Sequence, residues 1–173
     1  MRIAVVTGNP KPASRTHGVA LAVADALSGA LRAPGAPGLA APDAPGLGAH
    51  LAVDLAEHAS SLFDPADREL SRLTAEVAAA DIVVVASPTY KAAYTGMLKA
   101  FLDRYGGDGL AGTVAVLVMT GGWAGHSLAV RFTCGPFWSS WARPSRPAAS
   151  TSPSRSWPSR TRRSPAGPPR RSP

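Results

Sequence analysis

One cysteine in 173 residues, Cys134, rules out a disulfide within the chain. No apolar run approaches the ~20 residues that a membrane-spanning helix requires. Nothing resembles a secretory leader, since Met1 and Arg2 lead directly into a short β-like run. His17, His50, His58 and His126 show no metal-ligand spacing. No G-x-G-x-x-G turn, Walker A loop or defensible Ser-His-Asp arrangement occurs. These absences argue against a disulfide scaffold, a helical membrane protein and the common metal and P-loop chemistries.

Charge is also missing from one end in a telling way. Residues 1–130 carry 9 Lys+Arg against 11 Asp+Glu, whereas residues 131–173 carry 9 Arg, no Lys and no acid. The net charge of +7 is therefore a property of the last stretch alone. That stretch also lacks Leu, Ile, Val and Met, and Ser, Pro and Arg fill 28 of its 43 positions. Such a composition cannot bury enough apolar surface to order itself, so disorder is expected from 131 to 173. The first 130 residues read as one cytoplasmic domain with its own core.

Within those residues, apolar runs alternate with helical patterns. "RIAVVTG" (2–8) reads as a buried strand, and Thr16–Leu31 as a helix capped by Ser14 or Thr16. In that helix Val19, Ala22, Val23, Ala26, Leu27 and Ala30 supply the expected apolar face. The Pro/Gly/Ala-rich stretch 32–49 reads as a flexible connection. A second strand is centred on Leu51–Leu55, and a helix within 64–81 places Leu70, Leu73, Val77 and Ala80 together. "IVVVAS" (82–87) is a strand buried on both faces. A third helix carries Met97, Leu98, Phe101 and Leu102 and closes at Gly106-Gly107. Thr113–Gly122 is a fourth strand ending in glycines, after which "WAGHSLAV" begins another helix. The order β-α-β-α-β-α-β predicts an α/β fold with a doubly wound parallel sheet.

Ligands of such sheets bind beyond the carboxyl ends of the strands, where strand order reverses. Three segments meet there. Ser14, Arg15 and Thr16 offer hydroxyls, a guanidinium and helix-end N–H groups, which suit a phosphate but equally suit a solvated, capped loop. Tyr90, in "SPTYKAAYTG", either lines a flat ligand or simply packs. "TGG" (120–122) either lets a ligand approach the backbone closely or forms a tight turn.

The same segments resemble the NAD(P)H-dependent FMN reductase family of flavodoxin-like proteins, of the type that supplies reduced flavin to two-component monooxygenases. "TGNPKPASRT" is similar to that family's phosphate loop, with Asn9 where Ser is common. "ASPTYKAAYTGMLKAFLD" and "VMTGGWAGHSLAV" are similar to its second and third signature segments, and the likeness runs from Met1 to Val130. The resemblance implies strand order 2-1-3-4-(5). It implies FMN phosphate at Ser14, Arg15 and Thr16, the ring and ribityl chain at Pro88, Thr89, Tyr90 and Lys91, and the ring's other edge at Thr120, Gly121 and Gly122. FMN and NADPH or NADH are the implied cofactors, and hydride transfer needs no protein acid or base. Relatives form dimers or tetramers, the helix containing Tyr94 commonly lying at the interface. Rival readings are a quinone or azo reductase that keeps its FMN, and an inactive, truncated remnant. Neither a membrane nor nucleic acid is an expected partner.

The family continues after "HSLAV" with a helix, a fifth strand and a final helix, none of which residues 131–173 spell out. Restoring one base after the Val130 codon turns the codons around Phe132, Cys134, Phe137, Trp138 and Trp141 into codons with a middle T. Those encode apolar residues, and the shifted text reads as helix, strand and Ala-rich helix. The expectation is that residues 131–173 are out of frame, that the 1–130 domain is incomplete, and that the strand 113–119 lies at an open sheet edge.

Overall fold

The computed structural model describes residues 1–33 and 50–122, together with 126, 128, 129, 131 and 133. The connection from 34 to 49 and nearly all of the Arg/Ser/Pro-rich stretch lie outside the described residues, as does most of the expected fourth helix. So do the frame and completeness of that stretch.

Four strands form one parallel sheet in the order β2-β1-β3-β4. They are β1 (Ile3–Thr7), β2 (Leu51–Asp54), β3 (Ile82–Pro88) and β4 (Val114–Thr120). The helices are α1 (Arg15–Arg32), α2 (Arg68–Ala78) and α3 (Gly96–Leu102). This is the flavodoxin-like α/β arrangement. The chain passes from β1 outward to β2, then returns to the other side of β1 for β3, so strand order reverses between β1 and β3.

Buried apolar side chains divide between the two faces as parallel pleating requires. Ala4, Val6, Val83, Val85, Ala115 and Leu117 meet α2 and α3, with Leu70, Leu73, Val77, Leu98 and Phe101. Ile3, Val5, Ile82, Val84, Val116 and Val118 meet α1. Fully burying a Leu or Phe side chain contributes about 1.5–3 kcal/mol, so these two layers hold the sheet between its helices. Among the described residues β4 is an edge strand. Its residues from Ala115 on are only partly buried and Val114 is 59% exposed.

Three details differ from the sequence reading. The buried stripe of α1 is Thr16, Ala20, Ala24 and Ser28, while Val19 faces solvent. Small side chains at that spacing let the helix backbone approach β1 and β3 closely, and the larger Val23, Leu27 and Leu31 pack at the flank. The second strand stops at Asp54 rather than Leu55, because the Asp54 carboxylate accepts from the Ala56 N–H and caps a 3₁₀ turn, Leu55–His58. Helix α3 ends at Leu102, short of the Gly106-Gly107 pair, with Asp103 as its capping residue.

Candidate functional site

The parallel register lines up the carboxyl ends of the strands. Thr7 stands opposite Asp54 on one side and Ala86 on the other, and Pro88 stands opposite Thr120. The loops leaving β1, β3 and β4 therefore converge at the reversal point.

The first loop is built by its own polar side chains. Asn9 is buried; its Oδ1 accepts from the Lys11 N–H (2.9 Å) and its Nδ2 donates to Thr16 Oγ1 (3.1 Å). Ala13 takes a left-handed backbone angle, φ 48°, which costs a Cβ-bearing residue about 1–2 kcal/mol. The Asp54 carboxylate holds it there, accepting from the Ala13 N–H at 2.9 Å. Ser14 then caps α1, its Oγ accepting from the His17 N–H at 3.2 Å. The His17 ring in turn bonds Thr7 Oγ1 at 3.0 Å. The first turn of α1 thus sits under this loop with Lys11 and Arg15 exposed beside it.

Two separate contacts dock the second loop. Thr95 Oγ1 donates to the Gly8 carbonyl at 2.5 Å, while the Thr95 N–H donates to Ser87 Oγ at 3.0 Å. Between them Tyr90 and Ala93 exchange backbone hydrogen bonds of 2.9 and 3.0 Å around a two-residue turn. Both turn residues, Lys91 (φ 51°) and Ala92 (φ 63°), have positive φ, the type I′ pattern. Neither is Gly or Asn, so this turn is held against local preference, and Tyr90 is left 52% exposed at its base.

The third loop closes the group. Thr120 Oγ1 lies 2.7 Å from Thr16 Oγ1, and the Thr120 carbonyl accepts from the Thr89 N–H at 2.7 Å. Gly121 and Gly122 are exposed. A Cβ on Gly121 would come within 3.3 Å of the His126 side chain, a tight contact that His126 would have to yield to by a few tenths of an ångström.

All ten residues singled out from sequence lie on these three loops or at the strand and helix ends that flank them, but their environments differ. Ser14 and Pro88 are buried, Ser14 as a helix cap and Pro88 in the sheet. Thr16 is 2% exposed with its hydroxyl engaged by Asn9 and Thr120, so it ties the loops together. Arg15, Tyr90, Lys91, Gly121 and Gly122 are open to solvent, and Thr89 is half-buried. Sequence reasoning placed Gly8, Ser87 and Thr95 within the converging segments 8–16 and 87–95 without giving them a role, and it missed Asp54. A signal existed for two of them: Asp54 ends an apolar run at a strand terminus, and Thr95 precedes a helix at cap position. Among the described residues no group of three or more His, Cys, Asp or Glu could hold a metal, and no helix is long and apolar enough to cross a membrane.

The residues present suit a flat aromatic group with an anionic tail. Two exposed cations flank a helix N-terminus, and an exposed tyrosine and bare glycine backbone stand on the neighbouring loops.

The model of the NADPH-dependent FMN reductase family matches residues 1–142, twelve residues beyond the resemblance noted above. The chain is 30% identical over 135 residues to the NADH-dependent FMN reductase SfnF of Pseudomonas putida, covering 75% of this chain and 65% of that protein. It is 42% identical over 67 residues to the FMN reductase (NADPH) of Escherichia coli, covering 39% and 35% respectively. The chain thus spans less than two thirds of either relative. Among solved structures, the apo form of an NADH:FMN oxidoreductase (EMOB) superposes with a TM-score of 0.63 at 28% identity, over 80% of this chain and 68% of that one. An oxidoreductase from Corynebacterium diphtheriae superposes with a TM-score of 0.68 at 28% identity, over 80% and 74%.

Proposed function

The chain belongs to the NADPH-dependent FMN reductase family, and from that premise we propose that it reduces FMN with NADPH or NADH. The observation that carries this reading is the convergence of the three signature loops on the β1/β3 reversal point, tied together through Thr16, Thr89 and Thr120. In this reading Arg15, the cap at Ser14 and the first turn of α1 hold the FMN phosphate, with Thr16 setting the turn's position. Tyr90, Lys91, Thr89 and Pro88 form the wall along the ring and ribityl chain, and Thr120, Gly121 and Gly122 meet the ring's other edge. Bound FMN supplies the hydride-accepting ring, and the protein contributes stacking, charge and exclusion of water. Relatives named for NADH and for NADPH both match, so the reading admits either donor.

The finer role follows the sequence resemblance: a cytoplasmic dimer or tetramer that hands reduced flavin to a flavin-dependent monooxygenase. The stretch 131–173 is read as out of frame, which resequencing the DNA across codons 124–132 tests directly.

The purified chain is tested by following NADH and NADPH oxidation with and without added FMN. Oxidation that depends on added FMN, with a raised FMN KM in Arg15→Ala, is expected. Absence of FMN-dependent oxidation overturns the reading. Flavin retained through gel filtration, with ping-pong kinetics, points instead to a quinone or azo reductase.

A further inference from the structure

Asp54 belongs to none of the three signature loops, yet it reaches the first of them. It is the last residue of β2, 5% exposed, opposite Thr7 in the sheet. One carboxylate oxygen accepts from the Ala13 N–H at 2.9 Å and the other from the Ala56 N–H at 3.3 Å. Ala13 has φ 48° and lies immediately before the Ser14 cap. We infer that Asp54 is the positioning residue for FMN phosphate recognition, clamping Ala13 in its left-handed conformation so that Ser14, Arg15 and the first turn of α1 face the phosphate. This rests on the reading that the loop 8–16 takes the phosphate.

The chemistry favours a carboxylate. It has acceptors only, so its two oxygens can serve two backbone N–H groups pointing at it from different segments. An Asn can serve only one, since its NH₂ would face an N–H. Charge alone argues the other way: a buried negative group behind an anion site repels the anion. Geometry and charge therefore make opposite predictions for Asp54→Asn. If the clamp is what counts, FMN binds more weakly to the uncharged variant; if charge dominates, it binds more tightly.

Riboflavin lacks the phosphate and otherwise matches FMN, so the ratio of the two affinities reads the phosphate loop alone. Dissociation constants for both flavins are measured by fluorescence quenching with the full chain, Asp54→Asn and Asp54→Ala. The wild-type chain is expected to prefer FMN. Loss of a hydrogen bond to a charged group predicts that Asp54→Ala weakens FMN by about tenfold or more, leaving riboflavin within about twofold, with Asp54→Asn in between. Parallel weakening of both flavins overturns the proposal, because it marks a general structural role. So does an FMN preference that survives in both variants, or tighter FMN binding in Asp54→Asn. A wild-type chain that does not distinguish FMN from riboflavin overturns the phosphate reading itself, and the inference with it. Should Asp54→Ala fail to fold, the near-isosteric Asp54→Asn decides.

Discussion

Thr16 and Thr120 share a 2.7 Å hydrogen bond between side-chain hydroxyls although 104 residues separate them in sequence. Thr16 opens α1 and Thr120 ends β4, so the bond spans the mouth of the site. Thr16 also accepts from Asn9 Nδ2, so its hydroxyl links the first loop to the end of β4. Replacing Thr120 with Val keeps the shape and removes the partner. The expected cost is about 1 kcal/mol of stability in urea unfolding, together with weaker FMN binding. Unchanged FMN affinity would show that the two loops hold their places independently.

Gly8 tests how closely α3 must approach the first loop. A Cβ at position 8 would stand 2.5 Å from Leu98 Cβ and 3.0 Å from Leu98 Cα. The obstacle includes helix backbone, so no rotamer change relieves it. Gly8→Ala is expected to cost about 1–3 kcal/mol, the range for overpacking, visible as a lower urea midpoint. Because Thr95 Oγ1 donates to the Gly8 carbonyl, the same displacement shifts the second loop, and FMN binding falls with stability.

The turn at Lys91 and Ala92 carries stored strain. Asn-Gly is the pair that this turn type prefers. The double substitution Lys91→Asn, Ala92→Gly should therefore raise Tm, by an amount corresponding to about 1 kcal/mol. It also removes the Lys91 charge beside the site, so FMN affinity should fall while Tm rises. A lower Tm would contradict the backbone geometry described here.

Acid should loosen α2. The Leu70 N–H donates to Asp67 Oδ1 at 2.7 Å and holds the Asp67 carboxyl below its ordinary range. The Arg72 side chain does the same for Glu69. A carboxylate depressed on folding stabilises the fold fully above its unfolded value, and that contribution is lost as pH falls through the folded one. Asp67→Asn lacks this linkage. Its stability deficit relative to the parent chain should shrink as pH falls below the usual carboxylate range, as measured by urea titrations at several pH values. A deficit independent of pH would show that the cap is not acting through its charge.

The elements were legible where periodicity was strong. Ile82–Ala86 is apolar throughout, and the structure buries all seven residues of Ile82–Pro88. Leu70, Leu73 and Val77 were readable as one face and are buried together. Helix α1 was read with its face displaced, because Val19 and Val23 look more hydrophobic than Ala20 and Ala24. Proximity to the sheet selects for small volume rather than for apolar area. The loops were readable as a set because each directly follows a strand.

By itself the sequence determined the alternation of strands and helices, the strand ends on which chemistry could sit, and the confinement of excess positive charge to residues 131–173. Those properties are local, set by side-chain pattern over a few residues. Only the tertiary structure decided that Asp54 reaches Ala13 across 41 residues, that Thr16 is spent on Thr120, and that Gly8 must remain bare beneath Leu98. Such contacts depend on which strand lies beside which and at what register, and no local pattern encodes the distance between two loops that meet only once the sheet has formed.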